Sequence, residues 1–241
     1  IVGPLLLGGA VATFFDGSNF LVEKASLTDI GAPVISRWAN ASAGLDALLD
    51  PWNLVFGLAV MFLARMLGAL YIINNVDDED IRSRASVRLV GSTVPFLVFF
   101  LAFFVRLLLK DGYAVDAQGV VFMEPLKYLH NFLAMPLLAV LTLLGVVLLL
   151  YGVGRTVFSN KYVKGIWPAG IGVVLVVLSL LLIAGLGGTA YYPSNTDLQS
   201  SLTIANSCSS EFTLRTMFYV SLLVPFVFAY IAYVWRVMDR K

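Results

Sequence analysis

Three cations and one histidine stand where charge is least expected. Arg65 lies in Met61-Phe-Leu-Ala-Arg65-Met-Leu-Gly68, inside a run that is otherwise uncharged. Asn74 is nine residues on, roughly 13 Å along a helix axis, which is too far for full snorkelling. A guanidinium at that depth faces a bundle interior or a wet cavity and has a partner. Arg65 therefore reads as a lining residue on a proton or ligand path, or as a structural charge paired with a neighbouring helix, a carbonyl or a lipid phosphate. Arg106 and Arg215 lie near the outer ends of two other apolar runs. They read either as contacts to a partner surface or as interfacial cations whose stems snorkel.

His130 is the single histidine. At a helix entry it is a candidate haem ligand, with Met135 or Met123 as the second. Two ligands must then come from facing surfaces, and the sequence holds no second histidine; the alternative is a hydrogen-bonded interface residue. Asp77, Asp78, Glu79 and Asp80 lack the alternating order of a calcium loop and read as a solvated charge cluster. Cys208 stands alone, so no internal disulfide and no multi-cysteine metal or iron–sulfur site is available. Nothing basic stands near it in sequence to activate the thiol. No nucleotide, phosphate or hydrolase motif occurs. These residues define no catalytic set, no metal set and no cofactor set.

The elements that must position them are apolar. Hydrophobic residues make up 59% and charged residues 13% of the 241 positions, with a mean hydropathy of +0.88. A soluble domain carries about 25% charged residues, so this composition is that of a membrane protein. The formal charge of +1 gives no field to attract nucleic acid.

Six apolar segments follow one another, and none alternates with period two, which disfavours a barrel. The first, Ile1–Phe15, is short and interrupted by Gly3, Pro4, Gly8 and Gly9. It reads as the end of a helix whose start lies upstream, in a chain lacking its natural N-terminus. The polar stretch Asp16–Leu49 follows, with Trp38 as an interface anchor. Asp50 then caps a second helix with Pro51 at its first position, running to about Ile73. The third helix is expected from about Val87 to Leu109, kinked at Pro95. After the mixed-charge loop Lys110–His130 come Asn131–Tyr151 and Ile166–Leu186, the latter closed by Gly185, Gly187 and Gly188. Ser209 or Ser210 caps the sixth helix, Glu211 suits the positive end of its dipole, and it runs at about Thr213–Val237. The twenty uncharged residues between Arg215 and Arg236 rise roughly 30 Å, the thickness of a hydrocarbon core.

Loop charge sets an orientation. Arg82, Arg84, Arg88, Arg155, Lys161, Lys164, Arg236, Arg240 and Lys241 fall on one side, and Lys24, Arg37, Lys110 and Lys127 on the other. Nine against four predicts a cytoplasmic C-terminus.

The order of several short stretches carries a resemblance. Ser201-Leu-Thr, then Ser209-Ser210-x-x-Thr213-Leu214, Met217, Val224-Pro225 and Tyr230 before an aromatic, basic end resemble the C-terminus of subunit II of cytochrome bd quinol oxidase. Gly3-Pro4-Leu5 with Gly8 resembles that subunit's third transmembrane helix. Asp50-Pro51-Trp52-Asn53, an apolar span, and Ile81-Arg82-Ser83-Arg84-Ala85 resemble its fourth helix and the following loop.

The resemblance implies an all-α, polytopic transmembrane helix bundle. This chain then forms one membrane domain of six helices, the first partial. Residues 1–75 are the end of a first bundle and 87–237 a complete second four-helix bundle. It also implies a haem-bearing subunit I as partner, with haems b and d held there and none bound by this chain. The complex oxidises quinol and reduces dioxygen to water in the prokaryotic cytoplasmic membrane, among lipids and quinone. The family's known proton-delivery carboxylates lie on its first two helices, so none is carried over. The family assigns Arg65 no role; contact with a quinone headgroup is one reading. The alternatives are a polytopic transporter or channel subunit, with Arg65 and Arg106 lining its path, or a purely structural assembly subunit. No internal repeat of the transporter kind is evident.

Overall fold

The computed structural model describes residues 2–23, 35–159 and 162–238. Lys24, Lys161, Arg240 and Lys241, which enter the charge count, lie outside the described residues. The chain divides into two compact units, Ile1–Ile204 and Ala205–Lys241.

In the first unit the helices are α1 (Val2–Asp16), α2 (Pro51–Asn75), α3 (Glu79–Leu109), α4 (Lys127–Ala134), α5 (Pro136–Phe158) and α6 (Ile166–Gly185). Two small antiparallel ribbons lie in the connections: β1 (Phe20–Val22) with β2 (Ser36–Trp38), and β3 (Gly112–Val115) with β4 (Val121–Glu124). The second unit holds α7 (Glu211–Ser221) and α8 (Val224–Met238). Helices α2, α3, α5 and α6 and the α7–α8 stretch are long and apolar enough to cross a bilayer; α1 is a shorter apolar helix. The all-α membrane bundle expected from the sequence is the fold observed, and the chain is a multi-pass membrane protein.

Local chemistry explains the boundaries. The Asp50 carboxylate accepts from the backbone N–H of Trp52 at 2.8 Å and of Asn53 at 3.2 Å, and Pro51 supplies no N–H to orphan. Asp78 caps α3 by accepting from Ile81 N at 2.9 Å, and Glu79 and Asp80 occupy its first turn. The acidic cluster therefore starts the third helix at Glu79 rather than Val87, because carboxylates suit the positive end of a helix dipole. Helix α3 runs unbroken through Pro95. The expected fourth helix is two: Pro136 forces Met135 out of the helical region (φ −121°, ψ 71°), and α4 ends there. The sixth is also two. Pro225 has no N–H for the Ser221 carbonyl, and the chain tightens at 222–223 before α8 begins. Ser210 caps α7, accepting from Thr213 N at 3.4 Å.

Close helix approach rests on paired glycines. A Cβ on Gly8 would lie 2.8 Å from Gly57 Cα, where α1 crosses α2. A Cβ on Gly145 would lie 2.7 Å from the Gly172 carbonyl oxygen, where α5 meets α6. Helix α3 packs extensively along α2, and α5 along α6. The core beneath one bundle end is aromatic. Phe15, Phe103 and Tyr128 are fully buried, and Phe15 meets the other two edge-on at 6.1 and 5.6 Å.

Three connections meet at that end: those after α1, after α3 and after α6. Isolated bridges join Ser18 to Ser194, Ala114 to Thr189 and Tyr192 to Leu202. Ser201 Oγ accepts from Ser194 N at 3.0 Å, and Ser200, Ser201 and Thr203 are all buried. The Ser201-Leu-Thr stretch is thus a latch in the cap over the bundle.

Candidate functional site

The densest cluster of buried charge lies under this cap. Asp16 ends α1 with 4% of its side chain exposed. Its Oδ1 accepts from Arg106 Nη1 at 2.7 Å and from Lys110 Nζ at 2.6 Å. Arg106 and Lys110 are four residues apart, on one face of the end of α3. Lys110 also donates to the Phe15 carbonyl at 2.8 Å, one of the free carbonyls at the end of α1. A carboxylate at the negative end of a helix is unfavourable alone, and two cations reverse that sign.

The surroundings fix these groups. The Arg106 guanidinium lies over the Trp52 ring, 4.7 Å from its centroid. Gly17, at φ 81°, turns the chain out of α1, and a Cβ there would collide with Asn195. Asn195 donates to the Asp16 carbonyl at 3.1 Å and accepts from Tyr113 Oη at 2.9 Å. Tyr128 donates to the Phe15 carbonyl at 3.4 Å. Burial pulls the Lys110 ammonium below its ordinary pKa, with the Asp16 charge opposing. Burial pushes the Tyr113 and Tyr128 hydroxyls up. Asp16 Oδ2 is buried without a hydrogen-bond partner. Chemically the cluster is an ionic clamp that ties the ends of α1 and α3 to the start of α2.

Of the four residues singled out from sequence, Arg65, Arg106 and His130 lie in the first unit, each in different surroundings, and Arg215 lies in the second. Arg106 is in the clamp, held by a carboxylate. Arg215 pairs with Glu211 at 2.6 Å across one helical turn, both exposed. His130 is exposed at the start of α4, its Nδ1 2.9 Å from Glu124 Oε1. Lys127 reaches the other oxygen of Glu124 at 3.0 Å, and these two partners draw the Glu124 carboxyl below its usual pKa. Met135 packs against the core, apart from this exposed group. Arg65 is exposed on α2, its guanidinium 5.8 Å from the Phe62 ring centroid. Three and four residues on, Gly68 is exposed and Ala69 is buried. Cys208 is exposed.

Asp16 was missed because it follows an apolar run and opens Gly17-Ser18-Asn19, the composition of a loop. The signal that points to it is Arg106 with Lys110 at the end of a span, a pair that demands an anion at the same level.

Beneath the clamp an apolar cavity of about 370 Å³ lies between α2, α3, α5 and α6. Phe56, Phe96, Phe100, Phe132 and Val176 line it, and Thr142 alone brings a hydroxyl. It offers space to an apolar chain and no nitrogen or sulfur side-chain donor to a metal.

The spans and the capped bundle define a polytopic membrane protein. The chain belongs to the family of cytochrome bd terminal oxidase subunit II, which it matches over residues 1–238. It is similar to the protein named cytochrome bd-I ubiquinol oxidase subunit 2 in Escherichia coli K12, and to those of the same name in the strains O6:H1 and O157:H7. Each is 29% identical, over 99% of this chain. The chain spans 62% of the length of these relatives.

Proposed function

We propose that this chain is the non-haem membrane subunit of a cytochrome bd-type quinol:oxygen oxidoreductase. In this reading a haem-bearing subunit I holds haems b and d, oxidises quinol and reduces dioxygen to water in the prokaryotic cytoplasmic membrane. This chain supports that work without a redox centre of its own. The match to the family along residues 1–238 carries the reading, and the relatives' name as a ubiquinol oxidase subunit gives the substrate class.

The surroundings of His130 support placing the haems in the partner. His130 is 54% exposed and engaged by Glu124, and the apolar cavity presents no axial ligand. No redox step is therefore assigned to this chain. Its own contribution is mechanical and electrostatic. Asp16, Arg106 and Lys110 lock α1 to α3, the three connections cap that end, and the glycine pairs hold the spans close.

A deletion strain tests the reading. Membranes lacking this protein should lose dioxygen-dependent quinol oxidation, and the gene supplied in trans should restore it. Undiminished activity in the deletion, with no second oxidase of the same type present, contradicts it.

A further inference from the structure

The turn between α5 and α6 gathers cations and aromatic rings with no acid beside them. Helix α6 returns to the capped end, where Thr189 bridges Ala114, so this turn lies at the opposite end of the bundle. No Asp or Glu occurs in the sequence between Glu124 and Asp197, whereas Arg155 and Lys164 flank the turn. Both are exposed, and among the described residues neither is in ion-pair contact with a carboxylate. Arg155 follows Pro136 by nineteen residues, a rise of roughly 28 Å, and Trp167 is the second residue of α6. They therefore stand at the edge of a hydrocarbon core about 30 Å thick, where headgroups begin.

The guanidinium is held in place by its own chain. Arg155 Nη1 donates to Tyr151 Oη at 3.1 Å. The guanidinium carbon lies 5.9 Å from the Tyr151 ring centroid and 5.2 Å from that of Tyr162. Two rings attract and orient the cation without cancelling its charge. The backbone beneath is equally fixed. A Cβ on Gly152 would lie 2.6 Å from the Gly165 carbonyl oxygen, so the end of α5 touches the residue before α6. Arg155, one turn after Gly152, and Lys164, next to Gly165, are thus carried by one close backbone crossing. Phe158 beside them is 91% exposed and Trp167 is 67% exposed.

We propose that this turn binds an anionic phospholipid, whose phosphodiester accepts hydrogen bonds from the Arg155 guanidinium and the Lys164 ammonium. The inference needs only the membrane-spanning fold and goes beyond the oxidase reading. A guanidinium matches a phosphodiester through parallel N–H donors. Tyr151, which accepts from Arg155, keeps its own O–H to donate to the headgroup. Phe158 and Trp167 suit the glycerol and upper acyl region of an amphiphile, and a small soluble anion gains nothing from them. The charge selects the headgroup as well. The ammonium of a zwitterionic lipid would meet two cations and, within the span 125–196, no carboxylate.

The test uses the protein in its native assembly, reconstituted in phosphatidylcholine nanodiscs with a trace of photoactivatable phosphatidylglycerol. The label should concentrate on the segment from Tyr151 to Trp167. The double variant Arg155→Gln, Lys164→Gln should lower labelling of that segment at least about tenfold, since each basic residue near a headgroup adds to the attraction. Other segments should label as in wild type, which shows that the fold is kept. Arg155→Lys should stay within about threefold of wild type because the charge remains. Photoactivatable phosphatidylcholine should mark the segment weakly, a comparison on the wild-type chain that needs no variant. Equal labelling by the two lipids, or unchanged labelling in the double variant, overturns the proposal. Displacement of the phosphatidylglycerol by millimolar inorganic phosphate would assign the cations to a free anion and overturn it too. So would a photo-crosslinking residue in place of Phe158 that joins another protein chain rather than lipid.

Discussion

Asp16, the last residue of α1, accepts a hydrogen bond from Arg106, ninety residues later at the far end of α3, at 2.7 Å. The carboxylate is almost wholly buried and the guanidinium is 25% exposed, so the pair is shielded from solvent. Removing one partner of such a pair leaves a charge uncompensated and costs about 3–5 kcal/mol. Arg106→Ala should destabilise the purified protein by that order, read as a drop in thermal or detergent-denaturant midpoint. Arg106→Lys should cost less, because the charge stays and only the fork and the stacking on Trp52 are lost. Equal loss in the two variants would show that packing, not charge, holds the helix ends together.

Helix α5 touches α6 through bare backbone at Gly145 and Gly172. Gly145→Ala places a methyl 2.7 Å from the Gly172 carbonyl oxygen, a contact that only helix separation relieves. Overpacking of this kind costs about 1–3 kcal/mol. Gly154→Ala is the control, since a Cβ there meets nothing within 4 Å. The pair of variants should differ in midpoint, with Gly154→Ala close to wild type.

Asp46 organises the turn before α2. Its carboxylate accepts from Asn19, Asn40 and Ser42, and these donors hold its pKa at about 2 against an ordinary 3.8. The folded pKa is depressed, so the contribution is full above pH about 4 and is lost as pH falls toward 2. Hydrogen exchange across residues 40–50 should accelerate in that window. Asp46→Asn should remove the acid step and leave the segment faster at neutral pH.

Loop charge predicts a cytoplasmic C-terminus. A cytoplasmic reporter fused after Lys241 should be active, and an exported reporter fused at the same place inactive. Activity of the exported fusion alone would invert the topology. The structure brings the connections after α1, α3 and α6 to one end of the first unit.

The parts legible in the sequence were those with local causes. Asp50 with Pro51, and Ser210 before Glu211, cap helices through residues two or three positions away. The apolar spans show in composition alone. Boundaries slipped where a competing local rule acted: the acidic cluster capped α3 instead of lying in a loop, and Pro136 and Pro225 split two helices. The clamp was hidden because Asp16 finds its partners ninety and ninety-four residues away. The ribbons β1–β2 and β3–β4 were hidden for a related reason: their strands are three or four residues long and gain their place by docking on other connections.

The visible spectrum tests the central claim most directly. This subunit purified alone should show no Soret band, while the complex carrying its partner should show haem absorption and turn over quinol. Stoichiometric haem on the isolated subunit, or a haem-loaded and active partner recovered without it, would contradict the account.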